Sequence, residues 1–258
     1  MNQIISKDGT PIAYDRAGSG PAVIVIGGGP VDRSANDSLA ELLAEDFTVY
    51  NYDRRGRGES GDTAPYSTDR EYEDLEALIT EAGGSAMAYG TSGGGMIAIE
   101  AAARGLPITR LALWEVPYVL PGARPAIPAG YRDEQYAALA EGRHGDMLER
   151  FFLDAALMPA EFVAGMKAGP FWEAMFPMAP VLAYDADIAG DFSVPDARLA
   201  AISAPAIVVD GATTPWISAA AEAIAAALPD PLRRTLSGQP HNVDPATIVP
   251  VITEFFTG

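Results

Sequence analysis

The chain has 258 residues, 48% hydrophobic and 20% charged, a balance that fits one large α/β domain or two small ones and excludes intrinsic disorder. Its 35 acidic residues outnumber 17 basic ones for a net charge of −18, which argues against nucleic acid and anionic membranes as partners, because phosphate contacts need clustered Lys and Arg. With no cysteine there is no disulfide, thiolate nucleophile or cysteine-ligated metal. No basic-then-apolar leader opens the chain and no stretch nears the ~20 apolar residues of a membrane span, so a cytoplasmic monomer or homodimer is expected.

Three early strands are expected at Ile4–Lys7, Pro11–Arg16 and Ala22–Ile26, with Asp8-Gly9 as the hairpin signal between the first two. A helix follows over about Asn36–Ala44 and a strand over Phe47–Tyr52. Thr68-Asp69-Arg70-Glu71 reads as a capping box that opens a helix with Tyr72, Leu75, Leu78 and Ile79 on its apolar face. Strands are expected at Ser85–Tyr89, Arg110–Trp114, Ala206–Val209 and Leu232–Leu236. Helices are expected at Met96–Arg104 and Trp216–Leu228, and a last one opens at Asp244-Pro245, with Pro250 bending it or shortening its start. Alternating strands and helices predict an α/β fold with a largely parallel sheet. Residues 116–196 break this rhythm. Helical patches at Glu134–Leu139, Asp146–Leu153 and Glu161–Met166 mark them as a helical insertion over one end of a core made of 1–115 and 197–258.

The most specific signal is Gly90-Thr91-Ser92-Gly93-Gly94, a G-x-S-x-G pentapeptide between an expected strand and an expected helix. In that context the serine sits on a sharp, strained turn with its hydroxyl lifted clear of the sheet, and the glycines make room for it. Ser92 is therefore the candidate nucleophile. A serine needs a base within reach and a third group to orient that base. Of the two histidines, His241 lies in a loop just after the last expected strand, where active sites of parallel sheets collect. His144 falls in the insertion and reads as a solvated turn. The chain order Ser…Asp/Glu…His leaves the acid open between 92 and 241. Gly93, directly after the nucleophile at a helix N-terminus, is a candidate oxyanion donor.

The elbow, the loop Asp53-Arg54-Arg55-Gly56-Arg57-Gly58-Glu59-Ser60 after a strand, and the late loop histidine together resemble the α/β-hydrolase superfamily over nearly the whole chain. The resemblance implies an α/β-hydrolase fold with a helical cap. In most members the acid follows strand seven before a Pro-containing turn. Here that stretch is Val209-Asp210-Gly211-Ala212-Thr213-Thr214-Pro215, with Thr214 where an Asp is expected. A smaller group, including haloalkane dehalogenases and lactonases of macrocyclic mycotoxins, takes the acid from the end of strand six, which Glu115 matches. Asp210 stays as the alternative. The family's His-Gly pair aligns with Gly27 and Gly28, so the resemblance implies Gly29 as the second oxyanion donor. It further implies a serine esterase or lactonase that forms an acyl-enzyme and needs no cofactor. Thioester hydrolysis, perhydrolysis, C–C hydrolysis and a non-hydrolytic receptor on the same fold remain open.

Trp114 beside Glu115, Trp216 after the strand-seven loop, and Trp172 and Phe176 of the insertion are the candidate substrate-binding residues, for an apolar small-molecule ester or lactone. Gly56-Arg57-Gly58-Glu59-Ser60-Gly61 spells G-x-G-x-x-G, but turn-forming Asp62–Pro65 follows instead of a helix, so no dinucleotide site is expected. With two histidines and no cysteine, no metal site is expected either.

Overall fold

The apolar runs Ala22–Ile26, Thr48–Tyr52, Ala86–Thr91, Ile108–Trp114 and Ala206–Asp210 are almost wholly buried, as strands covered on both faces must be. They are β3 to β7 of a computed structural model that describes residues 1–258. With β1 (Asn2–Ile5), β2 (Pro11–Ala17) and β8 (Pro231–Thr235) they form one eight-stranded sheet in the order β1-β2-β4-β3-β5-β6-β7-β8. β2 runs antiparallel to both its neighbours, β1 and β4; β3 to β8 are mutually parallel.

Helices α1 (Asp37–Leu43) and α10 (Pro245–Thr257) cover one face, burying Leu39, Leu43, Ile248, Ile252 and Phe255 against Val23, Val25 and Val49. The other face carries α2 (Thr68–Glu81), α3 (Gly93–Ala103) and α9 (Pro215–Ala227) over Ile24, Ile26, Leu111, Leu113 and Val208. Between β6 and β7 the chain folds into α4 (Tyr131–Ala140), α5 (His144–Arg150), a π-helical turn at Phe151–Ala155, α6 (Ala160–Lys167), α7 (Val181–Ala189) and the short α8 (Asp196–Leu199). This segment has its own apolar cluster of Met147, Leu148, Trp172, Leu182 and Ala183. No helix is long and apolar enough to cross a membrane.

Three local expectations are corrected. Lys7 lies in the turn after β1, which ends at Ile5. The capping box does not form: Ser67 holds the N-cap position, and Glu71 is fully buried, accepting two hydrogen bonds from Arg54 at 2.8 and 3.1 Å. A buried bidentate guanidinium–carboxylate pair outweighs the single backbone bond a capping box would add. Pro250 does not shorten α10. It sits on the exposed side of the helix, as does Ala246, whose carbonyl loses its donor. Asp244 caps this helix as expected, accepting from Ala246 N–H at 3.0 Å.

Candidate active site

The C-terminal ends of the parallel strands meet at one edge. At the end of β5, Ser92 adopts φ 53° and ψ −127°, a region costly for a side-chain-bearing residue. Glycine makes the turn possible by close approach. A Cβ on Gly94 would run into the carbonyls of Ile26 and Gly27, and one on Gly28 would lie 2.7 Å from Ser92 Cβ. Ser92 N–H donates to Trp114 O at 2.9 Å, which continues the β5–β6 ladder past Thr91↔Trp114. Ser92 and Glu115 thus stand side by side on neighbouring strand ends.

Glu115 is 1% exposed and has φ 44°. Its Oε1 accepts from Gly211 N–H at 3.0 Å, and its Oε2 lies 2.7 Å from His241 Nδ1. The imidazole, 41% exposed, makes its hydrogen bond to Glu115 and none to Ser92. The loop carrying His241 is fixed from below by Trp114, whose indole N–H donates to His241 O at 2.8 Å.

Asp210, the alternative acid, is engaged elsewhere. Its carboxylate accepts from Arg233 at 2.7 Å, Thr235 at 2.8 Å, Ala212 N–H at 3.3 Å and the Ser218 hydroxyl. Burial alone would raise its pKa. The hydrogen bonds from Ser218, Arg233 and Thr235 outweigh this and hold it below the usual carboxylate range.

The two glycine amides proposed as oxyanion donors are neighbours: Gly29 N lies 3.9 Å from where a Gly93 Cβ would sit. Gly29 has φ 26°, and its carbonyl accepts from Arg57 Nε at 3.4 Å and Nη2 at 3.3 Å. Phe151, in the π-helical turn, hangs over this loop with Cζ 3.9 Å from a Gly29 Cβ position.

The structure does not bring the expected aromatic set to Ser92. Trp114 is fully buried on the α1/α10 side of the sheet, because alternation along β6 sends it opposite to its neighbours. Trp172 is in the core of the helical segment, and Phe176 packs back on His144 and Gly145. Trp216 is covered by the Arg124 guanidinium, 4.8 Å from its ring centre. The aromatic that reaches the glycine loop is Phe151, which sequence could not separate from the segment's other phenylalanines. Arg57 was also missed as a site residue. From sequence it is read as part of the Asp53–Ser60 loop and of a G-x-G-x-x-G, which runs here into a helix-free stretch before α2, and neither reading gives its side chain a role. His144 opens α5 half-buried against Phe176 in the helical segment. No cluster of three or more His, Asp or Glu side chains is placed to hold a metal.

A sequence model of the alpha/beta hydrolase family matches residues 23–250. The chain belongs to the alpha/beta hydrolase family. It is similar over 99% of its length, with 46% identity and a TM-score of 0.93, to an alpha/beta hydrolase from Sphaerobacter thermophilus DSM 20745, covering 100% of that protein. A 103-residue stretch, 38% of this chain, is 29% identical to the uncharacterized hydrolase YraK of Bacillus subtilis (strain 168) and spans only 38% of that relative's length. The enol-lactonase of Burkholderia xenovorans LB400 shares the fold, with 20% identity, a TM-score of 0.72 and full coverage of both chains.

Proposed function

We propose that this alpha/beta hydrolase cleaves a carboxylic ester or lactone of an apolar small molecule through an acyl-enzyme on Ser92. The observation that carries the reading is the 2.7 Å contact between Glu115 and His241 Nδ1 on the strand end next to the strained serine. Glu115 fixes the tautomer with Nδ1 protonated, which leaves Nε2 free to accept the Ser92 proton. As substrate seats, the half-exposed imidazole closes the remaining gap to Oγ. Such bonds tighten in the substrate complex.

Ser92 Oγ attacks the carbonyl carbon while His241 Nε2 takes its proton. The carbonyl oxygen becomes an oxyanion that receives the Gly29 and Gly93 N–H groups, the latter at the N-terminus of α3. Collapse breaks the carbon–oxygen bond, and Nε2 returns the proton to the departing alkoxide. In a lactone that alkoxide stays tethered to the acyl group. Water, deprotonated by Nε2, then releases the acid and restores Ser92. Residues 116–196 act as the cap, with Phe151 as an apolar wall beside the oxyanion loop. Structural kinship with an enol-lactonase favours lactones as the first substrates to assay. A fluorophosphonate tests the reading. It should label Ser92 of the wild-type protein near neutral pH and not Ser92→Ala, and an unlabelled wild type would leave a binding protein on a hydrolase fold.

A further inference from the structure

The loop that carries the proposed oxyanion donor, Gly27-Gly28-Gly29-Pro30, is intrinsically loose: three glycines lead into a residue with no N–H. Its one charged anchor is Arg57. That side chain is 1% exposed and points two nitrogens at the Gly29 carbonyl, at 3.3 and 3.4 Å. The same Nη2 donates to Asp185 Oδ1 at 2.7 Å, and Asp185 belongs to α7 of the cap.

Arg57 is part of a buried charge cluster. Arg54 Nη2 contacts Glu71 Oε1 at 2.8 Å and Asp185 Oδ1 at 3.0 Å, and Arg57 Nη1 lies 4.0 Å from Glu71. The core alone supplies two cations and one carboxylate to this cluster. The second carboxylate comes from the cap. Buried charges left uncompensated are strongly destabilising, so the cluster is balanced only with α7 seated. Undocking α7 would leave Glu71 as the sole anion for both guanidiniums and draw Arg57 away from Gly29.

We propose that Arg57 is a positioning residue for the oxyanion loop and that Asp185 holds it in place, so that cap seating and the aim of the Gly29 N–H are one coupled event. This rests on Ser92 being the nucleophile. Arg57 touches no substrate. It acts on the peptide that follows the donor and restrains a segment with no side chains of its own to do so.

The test compares Arg57→Met, Arg57→Lys and Asp185→Asn with Arg55→Met as a structural control, since Arg55 pairs with Asp74 and Asp8 and does not contact Gly29. The measurements are kcat and KM on an aryl ester, the inhibition constant of an aryl trifluoromethyl ketone, and Tm. The ketone forms a tetrahedral oxyanion on Ser92 and so reports the oxyanion hole directly. Arg57→Met should lower kcat and ketone affinity in parallel by about 30- to 100-fold, somewhat less than outright loss of an oxyanion donor, with KM within about threefold. Asp185→Asn should move both the same way by about three- to tenfold. Arg55→Met should lower Tm with kcat and ketone affinity near wild type. If Arg57→Met does not fold, Arg57→Lys decides: an ammonium can stand in for Nη2 but not for the second bond from Nε or the fixed plane of the fork, and a smaller loss of kcat and ketone affinity, still in parallel, is expected. A folded Arg57 variant with wild-type ketone affinity, or an equal loss in Arg55→Met, overturns the proposal while a labelled, active wild type keeps the hydrolase reading intact. A wild type that fluorophosphonate does not label removes both.

Discussion

Replacing Glu115 by Gln isolates the electrostatic role of one buried oxygen. The amide is nearly isosteric and can still accept the Gly211 N–H through its carbonyl, which leaves an NH₂ facing His241 Nδ1, 2.7 Å away. Two donors then meet. The imidazole must turn its unprotonated Nδ1 to the amide, which puts the proton on Nε2 and blocks its use as a base. The imidazolium of the transition state also loses its counter-charge. At 2.7 Å and an effective dielectric of ~20, that attraction is about 6 kcal/mol. The known cost of a wrong triad tautomer is about 10⁴ in kcat, or about 5.4 kcal/mol, so the two routes agree in size. The assay is kcat on aryl esters, with the fluorophosphonate labelling rate of Ser92 as a second readout and circular dichroism to verify folding. Glu115→Gln at near the wild-type rate, with Asp210→Asn down by ~10³ or more, would refute the reasoning and move the acid to β7.

Asp210→Asn should instead lower stability by about 1–3 kcal/mol with kcat little changed, since it leaves several donors short of a partner. The folded pKa of Asp210 lies below its unfolded value, so its contribution is present above about pH 4 and lost as pH falls through the folded value. The Tm gap between wild type and Asp210→Asn should therefore narrow below pH 4, and a constant gap would contradict the assignment. Gly28→Ala puts a methyl 2.7 Å from Ser92 Cβ and should cost about 10² or more in kcat by shifting the nucleophile, as measured in steady-state assays. Trp114→Phe keeps most of the buried ring but leaves His241 O without its indole donor; kcat should fall about tenfold and stability by about 1 kcal/mol, with KM unchanged because Trp114 reaches no substrate.

Much of this was legible in the sequence, for definite physical reasons. Strands buried on both faces announce themselves as apolar runs, and the parallel α/β sheet followed from their alternation with helices. Ser92 and His241 were legible because the elbow has a strict spacing and the chain offers so few histidines. Glu115 came from a resemblance, and its place beside Ser92 depends on a register between β5 and β6 that no local pattern encodes. What stayed illegible was long-range and polar. Glu71 looked like half of a capping box until Arg54, 17 residues away, claimed it. Trp114 reads as a substrate contact from its adjacency to Glu115 in sequence, but successive residues along a strand point to opposite faces. α7 was not expected at all, and with it went the link from Asp185 to Arg57.

The placement of Glu115 has a consequence for how such a protein can change. Neighbouring parallel strands are held at a fixed spacing by their main-chain ladder, and Ser92 and Glu115 stand at adjacent rungs. The separation of the proposed nucleophile and the proposed acid is thus set by the main-chain ladder of the sheet, and only the His241 loop has to be placed with care. The turn after β7, which in most relatives must hold a carboxylate in position, is relieved of that duty beyond the Gly211 N–H that supports Glu115. Ala212 and Thr213 are exposed there. In the proposed site this turn holds no reacting group, so its exposed side chains can change while Ser92 and Glu115 stay where the sheet put them.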